Sequence, residues 1–176
     1  MRKILLISGG FDSLLIYKMK PFINNYIYFD YGDTIINQEL KRIEKLPVKV
    51  EIIKLPKINC NENKFFYGRN LRFIMAVREK YPDENILVYI GNNADDNFPD
   101  NTREYFYRLE GLINNSYPNT LRIICPLQDF TKEEICAMAK QYEDLIALNP
   151  YYCDTGNDEP CRKCHSCLAM ISAGML

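Results

Sequence analysis

Short apolar runs alternate along this chain with stretches of helical periodicity. Five runs, Lys3–Ser8, Tyr26–Asp30, Val48–Leu55, Ile86–Gly91 and Leu121–Cys125, have the length and the β-branched and aromatic content of buried strands. Between them, Ser13–Met19, Asn37–Lys45, Asn70–Lys80 and Thr102–Asn114 each fit a helix. Such alternation predicts an α/β fold, with right-handed crossovers and a five-stranded, mainly parallel, doubly wound sheet covered on both faces. After the fifth strand, Thr131 and Glu134 have the spacing of a capping box and predict a helix to about Glu143. From Asn149 the chain turns rich in Cys, Pro, Gly and Asp. Residues 1–148 therefore read as the α/β domain and 149–176 as a metal-organised segment packed on it.

The bulk numbers sharpen this picture. At 176 residues, 47% hydrophobic and 26% charged, the chain has the composition of one packed domain rather than of a disordered one. A net charge of -1 and a pI near 5.9 argue against holding duplex nucleic acid by phosphate neutralisation, while leaving room for a small anionic ligand. Apolar runs fall short of the roughly 20 residues that span a bilayer, so no membrane partner is expected. Ile4-Leu5-Leu6-Ile7 follows two basic residues like a signal peptide, but it is shorter than the about 7–15 residues of an h-region and has no cleavage site after it. The expected location is the cytoplasm, or a host's cytoplasm for a virus-encoded chain. Four of the seven cysteines cluster near the end of the chain, which fits a metal site better than a disulfide framework.

Ligands of open parallel sheets bind outside the carboxyl ends of the strands, where strand order reverses. The segment Ile7-Ser8-Gly9-Gly10-Phe11-Asp12-Ser13 lies at such an end, after the first strand. It matches neither G-x-x-x-x-G-K-[ST] nor G-x-G-x-x-G. Its glycines let backbone N–H groups approach an anion, the following helix N-terminus adds partial positive charge, and Ser8 and Ser13 add hydroxyls. Asp12 would repel phosphate unless it holds a Mg2+ ion or caps the helix. A plain structural turn is the competing reading.

S-G-G-x-D-S after a first strand resembles the pyrophosphate loop of the ATP pyrophosphatase, or PP-loop, superfamily. Further segments are similar to one family within it, the 7-cyano-7-deazaguanine synthases. They are Phe29-Asp30-Tyr31-Gly32, Gly68-Arg69-Asn70, Ile90-Gly91-Asn92-Asn93 with Asp96, Phe98-Pro99-Asp100 with Arg103 and Glu104, and Pro126-Leu127 with Thr131-Lys132 and Glu134-Ile135. The matches run in order over almost the whole chain. The chain departs from the family pattern at Asp33, Thr34 and Ile35, where Gln, a basic residue and His are usual. Glu39 stands one place later than the pattern expects, and Asn101 replaces a cysteine.

The resemblance implies an adenine nucleotide alpha hydrolase-like sheet with strand order 3-2-1-4-5. It implies ATP binding by Ile7, Ser8, Gly9, Gly10, Phe11, Asp12, Ser13, Leu14, Asp30 and Tyr31, with Mg2+ accompanying the nucleotide. Asp12, Lys132 and Arg69 are the catalytic candidates, and Arg69, Asn70, Asp100 and Arg103 the substrate-binding ones. Bland roles compete for each: Lys132 as a solvated first-turn lysine, Asn70 as a helix cap, Asp95, Asp96 and Asp100 as members of a solvated turn. The implied activity is ATP-dependent conversion of 7-carboxy-7-deazaguanine and ammonia to 7-cyano-7-deazaguanine, a C–N ligation carried on to a nitrile. It would serve deazaguanine modification of tRNA, as in queuosine biosynthesis, or of DNA. The implied partners are these small molecules, without direct nucleic-acid contact, and a second copy in a homodimer. Two other readings stay open. One is a related adenylating enzyme that stops at the amide, uses another nucleophile or thiolates RNA, with Cys60 and Cys125 as sulfur carriers. The other is a non-enzymatic zinc module.

Cys161-Arg162-Lys163-Cys164-His165 has the letter pattern of a c-type haem attachment site. With Cys153 and Cys167 it instead reads C-x7-C-x2-C-x2-C, four thiolates that can surround zinc tetrahedrally. Four cysteines close the coordination sphere, so the zinc would be structural and His165 a non-ligand. With one histidine in the chain, Ser-His-Asp and Cys-His chemistry are set aside. Tyr151 and Tyr152 would then sit over the sheet end, beside a base-sized pocket.

Overall fold

The computed structural model describes residues 1–33, 35–57 and 68–176. Five strands, β1 (Arg2–Leu6), β2 (Asn25–Asp30), β3 (Val50–Lys54), β4 (Ile86–Tyr89) and β5 (Leu121–Ile124), form one sheet in the order β3-β2-β1-β4-β5, every neighbouring pair parallel. The expected strand order and fold class are those observed. β1 is the switch point, with Leu5 opposite Tyr26 on one side and Tyr89 on the other.

The strands bury side chains on both faces, which is why they read as continuous apolar runs. Leu5, Tyr26 and Tyr89 face α1 (Phe11–Met19), α5 (Lys132–Ala139) and α6 (Glu143–Ala147). Ile4, Ile27, Phe29, Ile86 and Val88 face α3 (Arg69–Lys80) and α4 (Arg103–Ser116). Ile4 and Leu5 are fully buried on opposite faces; each such side chain stabilises the fold by about 1.5–3 kcal/mol. The helix α2 (Ile36–Ile43) lays Ile36 and Ile43 on Tyr28.

Two expectations change in the second half. Thr131 and Glu134 do form a capping box, yet the helix it opens stops at Ala139 rather than near Glu143, and α6 follows after a turn. Ala139 and Leu145 are both fully buried, and the break lets the chain bring each onto the same core. The tail carries a helix that its composition did not advertise, α7 (His165–Ser172). Its Met170 is 1% exposed and joins the core shared by α1 and α5, so burial of that side chain ties the tail to the sheet. Among the described residues, no helix is long and apolar enough to cross a membrane.

Candidate active site

A cleft of about 360 Å3 opens at the carboxyl ends of β1, β2 and β4. Its floor is the turn from β1 into α1. Gly9 takes a φ of +73°, and a Cβ there would stand 2.8 Å from the Glu39 carbonyl oxygen. Glycine is therefore required both by conformation and by the close approach of α2. The Ser8 N–H donates to Ser13 Oγ at 3.1 Å, and Ser13 Oγ donates to the Gly10 carbonyl at 3.2 Å, so the turn is braced from within. Gly10 is the N-cap of α1 and supplies no side-chain cap, which leaves the first-turn amides facing the cleft.

Asp12 does not cap its helix. It reaches across to α5, where Lys132 Nζ donates to both carboxylate oxygens at 2.6 and 2.7 Å. Asn93, from the turn after β4, donates to the same carboxylate at 3.0 Å. The backbone N–H of Lys132 is in turn held by Asp95 at 2.7 Å, and Asp96 accepts the Asn93 N–H at 3.0 Å. Gly91 permits this junction, because a Cβ there would meet Asp12 and Ser13 atoms at 3.1 Å. Burial opposes the positive charge on Lys132, but Asp12, aided by Asp96, overcomes it and holds the ammonium above its ordinary pKa. Burial and then the charge of Asp12 push the Asp96 carboxyl up. Lys132 is thus a fixed cation rather than a solvated lysine.

The opposite wall comes from β2, α2 and α3. Phe29 and Phe73 stack with ring centroids 4.5 Å apart, and Tyr31 leans on Phe73 at 5.9 Å. Glu39 projects from α2 into the cleft and accepts a hydrogen bond from the buried Tyr28 hydroxyl at 2.7 Å. Burial pushes its carboxyl up to about 8, with Asp33 adding to the rise, while the Tyr28 bond and Arg69 oppose it. The same carboxylate and burial together push the Tyr28 hydroxyl well above the usual phenol range, burial first.

Arg69 opens α3 and lines the cleft with Asn70. Asn70 is not the cap of α3; Gly68 holds that position with a φ of +72°. Asn70 instead lies inside the helix, where its N–H donates to Asp100 at 3.1 Å and its side chain to Asn101 at 2.6 Å. Asp100 is 4% exposed and stands behind Asn70 rather than in the cleft, so it positions α3. Asn101, where the family pattern has cysteine, also accepts from Asn92 at 3.2 Å and is integrated into this amide cluster. Arg103 points away from the cleft, exposed and paired with Asp129. Of the nucleotide candidates, Ile7, Ser8, Gly10, Phe11, Asp12, Ser13 and Tyr31 line the cleft. Gly9 packs beneath it, Leu14 is fully buried in the core, and Asp30 turns to accept the Gly32 N–H. Thr34 and Cys60 lie outside the described residues.

The third wall is the tail. Tyr151, Tyr152, Asp154, His165 and Ser166 all line the cleft. The Tyr151 N–H donates to the Gly9 carbonyl at 3.0 Å, and Arg42 binds the Asn149 carbonyl while sitting over the Tyr151 ring. Behind these residues the thiols of Cys153, Cys161, Cys164 and Cys167 lie within 4.8 Å of one another. Backbone N–H groups point at the sulfurs: Cys164 at Cys161, and Cys167 at Cys164. Such donors stabilise thiolates, and four thiolates at this spacing fit tetrahedral zinc. His165 is exposed at the start of α7 and is not a member of the cluster.

The sequence marked Glu39 only as a displaced residue and Asn93 only as a member of a family-like segment, and it gave no sign of Tyr28. The clue was available for Glu39: with Gln38 and Arg42 it puts polar groups on a helix whose other face is apolar, and Gln38 and Arg42 prove buried.

The profile of the family described as "Queuosine biosynthesis protein QueC" matches residues 57–173. The chain is 26% identical to a 7-cyano-7-deazaguanine synthase of Methanobrevibacter smithii over 206 aligned positions, covering 95% of this chain and 90% of that protein. A synthase of the same description from Prochlorococcus marinus is 29% identical, with 93% and 89% covered. Among solved structures, a predicted subunit of tRNA methyltransferase from Methanocaldococcus jannaschii shares the fold, with a TM-score of 0.55, 20% identity, and 80% of this chain and 74% of that one covered. The chain belongs to the QueC family.

Proposed function

We propose that this protein binds Mg2+–ATP with its phosphates on the Ser8–Ser13 turn and converts 7-carboxy-7-deazaguanine and ammonia to 7-cyano-7-deazaguanine. The observation that carries the reading is the Asp12–Lys132 pair, which fixes a half-buried ammonium beside a glycine turn and a helix N-terminus. Family membership supports the substrate, since the relatives bear the name of that synthase.

Adenylation of a carboxylate needs little proton transfer, because the nucleophile is already ionised. It needs charge stabilisation on the phosphates. The α1 amides, the Ser8 and Ser13 hydroxyls and Lys132 supply it from one side of the cleft, and Arg69 supplies it from the other. Asp12 and Asp96 are close enough for one to raise the other's pKa, a repulsion that a dication relieves. They are the residues that would hold Mg2+, whose contribution is to neutralise polyphosphate charge. The stacked Phe29 and Phe73, with Tyr31, Tyr151 and Tyr152, give planar walls suited to an adenine or a deazaguanine ring.

Ammonia then displaces AMP from the acyl-adenylate to give the amide. A second adenylation, on the amide oxygen, allows elimination of AMP to the nitrile. A thiolating reading fits the cleft less well. Among the described residues, the one cysteine lining it is Cys153 of the metal cluster, and burial pushes the Cys125 thiol up to about 12. Incubating the protein with ATP, Mg2+, ammonium and the carboxy-deazaguanine, and following products by mass spectrometry, tests the reading. AMP and nitrile are expected; no AMP would overturn it, and AMP with amide alone would assign the stop at the amide.

A further inference from the structure

Between ammonia and a nitrile, nitrogen loses all three of its hydrogens. Each departs as a proton, and the departing phosphate oxygen of AMP is only a weak base for it, so a carboxyl placed beside the nitrogen is the better acceptor. An acceptor is needed on the acyl side of the cleft, away from the phosphates.

Among the described residues, the carboxyl groups lining the cleft are Asp12, Glu39, Asp95, Asp96 and Asp154. Asp12 is held in both oxygens by Lys132, Asp95 by the Lys132 N–H, Asp96 by the Asn93 N–H and Asp154 by the Ser166 hydroxyl at 2.9 Å. The first three belong to the phosphate wall. Glu39 stands on the opposite wall, with Arg69 and the aromatic stack, and its bond from Tyr28 engages Oε2. It is anchored by Ile36 and Ile43 of its own helix, and its backbone carbonyl packs under Gly9. The backbone that carries the side chain is therefore fixed, and the carboxyl itself is held by Tyr28.

We propose that Glu39 is the proton acceptor for the incoming nitrogen, a catalytic residue of the amide- and nitrile-forming steps but not of the first adenylation, that of the carboxylate. The inference rests on the function proposed above. In the first step the ammonia lone pair forms the C–N bond, the acyl C–O bond to AMP breaks with its electron pair on AMP, and one N–H proton passes to Glu39. Solvent takes that proton before the second ATP is used. The amide nitrogen then gives one proton to Glu39 as its oxygen attacks the α-phosphate and pyrophosphate leaves, and solvent takes that proton. The last N–H proton passes to Glu39 as the C–O bond to AMP breaks with its electron pair on AMP and the nitrile forms. The groups facing Glu39 are Tyr28 from β2, Asp33 from the turn after it and Arg69 from α3. A carboxyl that titrates near 8 is matched to this work, since it exchanges protons readily at neutral pH.

The test separates the two half-reactions in the full-length, metal-loaded protein. Carboxylate-dependent exchange of labelled pyrophosphate into ATP reads adenylation; amide and nitrile formation read the nitrogen steps. Glu39→Gln keeps the shape and should retain exchange within about threefold, while the nitrogen steps fall by about 100-fold or more, the usual yield of a positioned base. The wild-type nitrogen steps, corrected for free ammonia, should rise with pH through about 8, and Glu39→Gln should lose that inflection. Glu39→Asp should restore part of both the rate and the inflection. Undiminished nitrogen steps in Glu39→Gln would overturn the inference while leaving the proposed function standing. Parallel loss of exchange and nitrogen transfer would also overturn it, making Glu39 architectural. Absence of exchange in the wild type would overturn the proposed function and this inference with it.

Discussion

On the wall built by α1, α5 and the turn after β4, Asp12, Lys132, Asn93 and Asp95 hold one another in a closed set of short polar contacts. On the facing wall, Glu39 is held by a buried tyrosine hydroxyl and lies among aromatic rings and a single arginine. The first arrangement holds the Lys132 ammonium in place above its ordinary pKa. The second holds a carboxyl near its titration point at neutral pH. Under the proposed function, the two walls would divide the work, one stabilising phosphate charge and the other accepting protons.

The tail supports both walls, so breaking it should have the largest effect. Cys161→Ser or prolonged chelation should remove one metal ion per chain, measured by atomic emission. A loss of about 5 kcal/mol from so large a constraint corresponds to a fall in Tm of about 10–20 °C for a domain of this size. Because the Tyr151 N–H and Arg42 bridge the tail to Gly9 and α2, nucleotide binding should fall with it in calorimetric titration. Full ATP affinity in the metal-free protein would show that the walls stand without the tail.

Lys132→Ala strikes one wall only. Removing a preorganised cation from the phosphate site should lower carboxylate-dependent exchange by about 100- to 1000-fold. The variant should still bind the deazaguanine ring, as read by intrinsic tyrosine fluorescence. A loss below tenfold would return Lys132 to the role of a structural partner for Asp12.

Glu39 makes the other wall visible in stability. Its carboxyl is raised in the folded state from about 4.5 to about 8. The folded protein therefore binds the extra proton over that interval, and the contribution of Glu39 to stability is full below about 4.5 and is lost as pH rises through about 8. Glu39→Gln should flatten the decline of the urea midpoint over this window. One proton held only by the folded state gives a slope of at most about 1.4 kcal/mol per pH step of one, and the partial exposure of the side chain reduces it. An unchanged slope would mean that Glu39 titrates as it does in the unfolded chain. Smallest of all, Arg103→Ala removes an exposed pair with Asp129 and should change stability by about 1 kcal/mol or less, leaving exchange intact.

The contrast also explains what was legible in the sequence. The sheet order, the cysteine cluster and the phosphate wall rest on local signals: apolar runs, C-x2-C spacing, a glycine turn and a capping box that sets Lys132 at the start of α5. Glu39 depends on contact between α2 and β2, which the sequence hinted at only through the polar face it shares with Gln38 and Arg42. Asp100 and Arg103 stand outside the cleft for the converse reason. Their motif is contiguous, but Pro99–Asn101 forms a short 3-10 turn that sends Asp100 inward to Asn70, and α4 then carries Arg103 outward. The helix expected to reach Glu143 ended early because Ala139 and Leu145 both needed the same core.

The most direct measurement is exchange of labelled pyrophosphate into ATP by the wild-type protein, with and without 7-carboxy-7-deazaguanine and with no ammonia present. Exchange that depends on the carboxylate is the predicted result. A protein that binds ATP yet shows no exchange with that carboxylate would contradict the assignment of the cleft.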